Sequence, residues 1–160
     1  MKLRSIILGV VFTLILSSCV VTTPDENISQ AIKECSITVE CSEILKDKAE
    51  FSEDIIKNIS EDGIIIKETA KFDDGETAFD ILKREITNNK IQIDFEKSPV
   101  YNSVYIKGIN NIYEGDFGES SGWMFFVNGN LSETDASNYI LNEGDDIVFS
   151  YVKDYNELFK

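Results

Sequence analysis

The stretch Gly122-Trp123-Met124-Phe125-Phe126-Val127-Asn128-Gly129 decides how the chain is read. It holds the only Trp, carries no charge and is bounded by glycines. Aromatic and β-branched residues running into Asn-Gly predict a buried strand that turns back at Asn128-Gly129, because a two-residue hairpin turn needs positive φ at both central positions. Alternation along a strand puts Trp123, Phe125 and Val127 on one face and Met124, Phe126 and Asn128 on the other. The residues alone do not say which face meets a helix. Core packing is the commoner role for Trp123, ahead of ligand contact, and it leaves Phe126 on an open face where a ring can stack on a flat ligand. Asn128 is expected to shape the turn first and to contact a ligand second.

Working outward, the 160 residues suffice for one ordinary domain, and a hydrophobic fraction of 42% suffices for a packed core. The formal net charge is -14, from 29 acidic and 15 basic residues. Residues 1–18 contain Lys2 and Arg4 and no acid, so the rest of the chain is more acidic still. Such a field repels phosphate backbones, so nucleic acid is not an expected partner. His is absent. That removes the commonest general base, the commonest metal ligand and the usual activator of Ser or Cys nucleophiles. The carboxylates form no pair at a readable catalytic spacing, and Ser120-Ser121-Gly122 is not a nucleophile elbow. No catalytic residue and no metal ligand are expected. The acidic run Asp73, Asp74, Glu76 lacks the spacing of a calcium loop and reads as a solvated turn.

The amino terminus has a basic start at Lys2 and Arg4, an apolar run from Ile6 to Leu16, and small residues before Cys19. That is a secretory signal, too short for a comfortable membrane span. Leu16-Ser17-Ser18-Cys19 resembles a bacterial lipobox, which implies a diacylglycerol on Cys19 and an anchored protein on the extracytoplasmic face of the cell membrane. The chain then divides into a signal over 1–18, a tether over 19–34, a domain over 35–153 and a short tail over 154–160.

Within the domain, Cys35 to Cys41 alternates as a first strand, with Ile37 and Val39 on the face of both cysteines. Six positions in an extended strand span about 20 Å, beyond the roughly 7 Å Cα separation that a disulfide tolerates. Two thiols, a bridge across a sharp turn, or a bridge to a second chain all stay open. Residues 42–60 suggest helical segments or an insertion along an edge, Glu61-Asp62-Gly63 a turn, and Ile64 to Phe72 a strand. Thr77 as N-cap, Asp80 three residues on, and the stripe Ala78, Phe79, Leu82, Ile86 predict a helix through Asn88, ended by a left-handed residue at Asn88-Asn89. Strands are expected at Ile91–Phe95 and Tyr101–Lys107, then a long connection over Gly108–Ser121, the Trp123 strand, a polar loop over Asn130–Asn138, a turn at Gly144, and a last strand from Ile147 to Val152. This order predicts an α+β fold, a mixed sheet with one helix packed across it.

Several of these pieces together resemble the transcobalamin-like C-terminal domain family. They are Ser121-Gly122-Trp123-Met124-Phe125 with Val127-Asn128-Gly129, Gly75 to Leu82 at the helix start, Tyr105-Ile106-x-Gly108-Ile109-Asn110, and Leu141-x2-Gly144-Asp145-x-Ile147. The resemblance covers roughly Cys35 to Val152 and departs from those relatives at Phe117 and Ala136, where they often carry Cys. It implies a β-grasp-like fold that binds a soluble ligand, with cobalamin or another corrinoid the leading candidate and no cofactor required. In animal cobalamin carriers a domain of this kind closes over a corrinoid held by a separate helical barrel. This chain has no room for a barrel, so a helical-barrel or surface protein is an implied partner. The alternative is a surface protein-interaction module without a small ligand. The expected contact residues are Trp123, Phe126 and Asn128 together with Tyr101, Tyr113 and Tyr139, whose rings and hydroxyls at strand ends or loops suit a binding rim.

Overall fold

The computed structural model describes residues 32–50 and 59–160; the expected signal, Cys19 and the tether up to residue 31 lie outside the described residues. The elements in chain order are β1 (Lys33–Glu40), a 3₁₀ segment (Ser42–Glu50), β2 (Ile64–Phe72), α1 (Ala78–Asn88), β3 (Ile93–Ser98), β4 (Ser103–Ile109), β5 (Ile112–Tyr113), β6 (Gly122–Val127), β7 (Asn130–Leu131), β8 (Asp146–Val152) and a terminal 3₁₀ turn (Tyr155–Phe159). They form an α+β fold with a five-stranded sheet in the order β2-β1-β8-β6-β7 and a three-stranded sheet in the order β3-β4-β5. The first and last strands, β1 and β8, lie side by side and parallel at the centre, while β1–β2, β6–β8 and β6–β7 are antiparallel.

Strand alternation builds the core. Cys35, Ile37 and Val39 of β1, Ile147, Phe149 and Tyr151 of β8, and Trp123 of β6 are buried together with Ala78, Phe79, Ile81, Leu82 and Ile86 of α1. The helix begins as predicted. Asp80 N–H donates to Thr77 Oγ1 at 3.2 Å and Thr77 N–H donates to Asp80 Oδ2 at 3.0 Å, a reciprocal capping box. Its end differs by one residue. Asn89 stays right-handed (φ -83°) and Lys90 takes the left-handed conformation (φ 58°). Ile91 N–H then reaches Ile86 O at 3.0 Å and Lys90 N–H reaches Thr87 O at 3.1 Å, the paired bonds of a Schellman end. The hydrophobic match of Ile91 to Ile86 outweighs the left-handed preference of Asn.

β1 starts at Lys33, two residues before Cys35. β3 and β4 each sit two residues later in the chain than their periodicity suggests, because the tight turn lies at 99–102 and not at Ser98-Pro99 alone. A bulge between Asp94 and Phe95 resets the register of this hairpin. The long connection after Gly108 contains β5, reached through a turn with Asn110 and Asn111 at φ 53° and 60°. Both cysteines are free thiols, 2% and 0% exposed, which places them in the core and closes the route to a second chain. Burial pushes Cys35 up to about 11 and Cys41 up to about 12, so both stay protonated at neutral pH.

Candidate ligand-binding face

The small sheet meets the large one along a short seam. β6 pairs with β8 over its length but with β7 only at Phe126 and Val127, and β5 covers β4 only at Gly108 and Ile109. The loop after β7 fills part of the gap. Its Ser132 N–H donates to Phe125 O at 3.0 Å, its Ser137 Oγ accepts from Val104 N–H at 3.0 Å, and Asn138 Nδ2 donates to Asn102 O at 3.1 Å. Asp135 organises this loop, accepting from Ser137 N–H at 3.1 Å, from Ser137 Oγ, and from Asn138 Nδ2 at 2.7 Å. Burial works to raise the Asp135 pKa, but these hydrogen bonds outweigh it and hold the carboxyl below its ordinary range.

Two clefts open along β4 beside this loop. One, of about 220 Å³, lies between Ile106, Trp123, Met124 and Phe125 on the strands and residues 131–136 on the loop. The other, of about 370 Å³, lies under the β3–β4 turn and is lined by Lys97, Ser98, Pro99, Asn102, Ser103, Val104 and Ser137. Above it the turn presents Val100 and Tyr101, 83% and 80% exposed, the two most exposed large hydrophobic residues described. From Ser98 to Ile106 there is no charged residue, in a chain where 28% of residues are charged. The result is an apolar tip over a cleft lined by hydroxyls, the Asn102 carboxamide and the exposed Lys97.

The structure brings some of the six sequence-predicted contact residues to this face and leaves others elsewhere. Tyr101 is on the tip. Trp123 lines the smaller cleft but is only 8% exposed, and its indole Nε1 donates to Ile112 O at 2.9 Å while its ring meets Tyr151 edge-on at 5.4 Å. It therefore ties β5 to β6 and offers the cleft only part of its surface. Phe126 is half-buried on the face away from the core, opposite Leu131 and Val148. Tyr113 lies flat over Gly108 and its hydroxyl accepts from Gln92 Nε2 at 3.1 Å, on the small sheet.

Asn128 and Tyr139 belong to a different cluster, centred on the buried carboxylate of Asp145. Asp145 accepts from Asn142 N–H at 2.9 Å, Asn128 Nδ2 at 3.0 Å and Tyr139 Oη at 3.0 Å. Asn128 Oδ1 also accepts from Asp146 N–H at 2.9 Å, and Asn128 and Gly129 have φ 51° and 79°, the hairpin turn that the sequence predicts. The Tyr139 ring packs edge-on against Phe125 at 5.8 Å. Val100, Asn102, Ser103 and Ser137 were not among the expected contacts. The charge-free run beside Pro99 was the available signal for the first three; Ser137 lies outside it.

Residues 75–153 match a family described as a domain of unknown function (DUF4430). No curated protein matches the chain. Among solved structures, haptocorrin in complex with Cbi aligns at a TM-score of 0.58 and 12% identity over 78% of this chain, which spans only 26% of the haptocorrin chain. A protein from Ruminococcus gnavus ATCC 29149, proposed in its structure description to bind metal, aligns at a TM-score of 0.46 and 15% identity over 77% of this chain and 99% of that one.

Proposed function

We propose that this chain, whose carboxy-terminal part belongs to that family of unknown function, is a lipid-anchored, extracytoplasmic module that binds a soluble ligand without catalysis. A corrinoid such as cobalamin is the leading ligand. The observation that carries the reading is the charge-free β3–β4 turn, with Val100 and Tyr101 raised over the larger cleft, and the smaller cleft further along β4. The fold shared with haptocorrin, which was solved with Cbi bound, supports it.

Size decides the manner of binding. Clefts of about 370 and 220 Å³ are open troughs that a macrocycle can cover but not enter. The domain then contacts one face of the ring through the Tyr101 tip and the cleft walls, and the other face is left for a second protein or for solvent. Binding to one face buries less surface than an enclosed pocket does, so the expected affinity of the chain alone is micromolar rather than nanomolar. The same exposed tip favours the alternative of a protein-interaction surface without a small ligand.

Titrating the detergent-solubilised full chain with cobalamin, followed by heat and by Trp123 fluorescence, tests the proposal. Saturable binding that weakens at least fivefold in Tyr101→Ala supports it. No heat and no quenching at high micromolar cobalamin would remove the corrinoid reading and leave the interaction module. The anchor has a separate test: Cys19→Ser is expected to move the protein from the membrane to the soluble fraction, and retention in the membrane would refute lipidation at that residue.

A further inference from the structure

We propose that Asn128-Gly129 is a deamidation site that the fold holds shut through Asp145, so that loosening of the Asp145 cluster sets how fast the chain is converted. This is independent of the ligand-binding reading above. Asn128-Gly129 is the only Asn-Gly pair in the chain. In such a pair the Gly129 backbone nitrogen attacks Cγ of Asn128. The N–Cγ bond forms, the Gly129 N–H proton is lost, and Nδ2 leaves as ammonia. Water then adds to one of the two carbonyls of the succinimide ring and opens it to Asp or to isoaspartate, so one water enters and one ammonia leaves. Gly hinders the attack least, because no Cβ stands beside its nitrogen. The turn is also open: both residues are exposed, and a Cβ built at Gly129 would meet nothing within 4 Å.

Exposure alone would leave the site labile. What opposes the reaction is the grip on the Asn128 side chain. Its Nδ2 donates to Asp145 Oδ1 at 3.0 Å, and its Oδ1 accepts from Asp146 N–H at 2.9 Å. The backbone is fixed as well, with Asn128 N–H donating to Asp146 O at 2.8 Å and Asn128 O accepting from Asn130 Nδ2 at 3.1 Å. Held at both ends, the amide cannot turn, and Nδ2 cannot leave, without breaking these bonds. Charge adds to the barrier. The attacking nitrogen and the amide oxygen both become negative on the way to the ring, and the Asp145 carboxylate, only 6% exposed, is in contact with that amide. Asp145 is itself kept in place by Tyr139 Oη at 3.0 Å and Asn142 N–H at 2.9 Å.

Conversion reaches beyond the turn. Aspartate at position 128 sets a second carboxylate against that of Asp145. Isoaspartate adds a methylene to the backbone, and a two-residue turn that holds Val127 opposite Asn130 and Phe126 opposite Leu131 has no slack for it. β7 leads directly into the loop that walls the smaller cleft and clamps the β3–β4 turn through Ser137 and Asn138.

The test follows Asp and isoaspartate at position 128 by peptide mass spectrometry of the full chain in detergent, held in mildly alkaline buffer. A hydrogen bond to a charged group corresponds to about tenfold in rate or more, so the folded chain is expected to react at least tenfold more slowly than the same chain in urea. Asp145→Ala removes the acceptor and is expected to speed the folded chain at least fivefold. Tyr139→Phe is milder: it takes one donor from Asp145, keeps the ring beside Phe125, and is expected to speed the reaction roughly two- to fivefold. Gly108→Ala crowds the Tyr113 ring on the other sheet and should change the rate by less than twofold. Equal rates in the folded and urea-treated chains, an unchanged rate in both Asp145→Ala and Tyr139→Phe, or a gain in Gly108→Ala equal to that in Asp145→Ala would each overturn the inference.

Discussion

Asp145 shows how one residue can hold three loops. Its carboxylate gathers the β6–β7 turn through Asn128, the strand-like stretch at Tyr139, and its own turn through Asn142 N–H. Burial alone would raise its pKa, yet these hydrogen bonds outweigh burial and hold it below the ordinary carboxylate range. A folded-state pKa below the unfolded value contributes stability that is complete above the unfolded pKa, near 4, and is lost as pH falls through the folded value. Asp145→Asn removes the charge and turns one acceptor into a donor facing donors. We expect it to cost about 1–3 kcal/mol at pH 7 and to flatten the acid limb of a urea-midpoint against pH curve between about pH 5 and 2. An unchanged midpoint at pH 7 would mean the cluster is dispensable. At this scale the turn at Asn128-Gly129 was legible because its chemistry is local. The role of Asp145 was not, because its partners lie up to 17 residues away.

Among the elements, the capping box and the stripe of α1 announced themselves, and β2 and the Trp123 strand fell where their patterns put them. The β3–β4 hairpin did not, since its turn has no Gly, and the bulge at Asp94 breaks strict alternation. Short β5 was hidden inside a connection because two residues have no periodicity to read. It is held instead by contacts: Trp123 Nε1 on Ile112 O, Tyr151 Oη on Tyr113 O at 2.7 Å, and the Tyr113 ring on Gly108. A Cβ at Gly108 would stand 2.6 Å from that ring. Gly108→Ala is therefore expected to displace Tyr113 and break its bond with Gln92, at a cost of about 1–3 kcal/mol. Amide exchange checks it, with faster exchange at Ile112 to Glu114 expected and exchange elsewhere nearly unchanged. Uniformly faster exchange would instead mean that β5 is not a local unit.

For the molecule as a whole, the order of elements was enough to predict an α+β sheet with one helix, because strand and helix periods differ and each element buries one face. The gathering of a functional face was not legible. The smaller cleft forms only once Ile106 of β4 is brought against Trp123, Met124 and Phe125 of β6, and that depends on where each strand runs out of partners. The larger test at this scale concerns β8. A chain ending at Asp145 loses Ile147, Phe149 and Tyr151 from the core, and is expected to show no cooperative thermal transition by circular dichroism. A sharp transition in that truncated chain would show that β1, β2 and α1 fold as an independent unit.

The parallel pairing of β1 with β8 sets a timetable. Ser36 and Asp146, neighbours in the central pair, are 110 residues apart in the chain. Loop closure over such a distance comes late, and topologies rich in distant contacts fold slowly. While the chain is being made, β1 has β2 on one side and nothing on the other until Val152 has emerged. Its second edge stays unpaired throughout that interval. Until it is paired, that edge is open to chaperones and proteases.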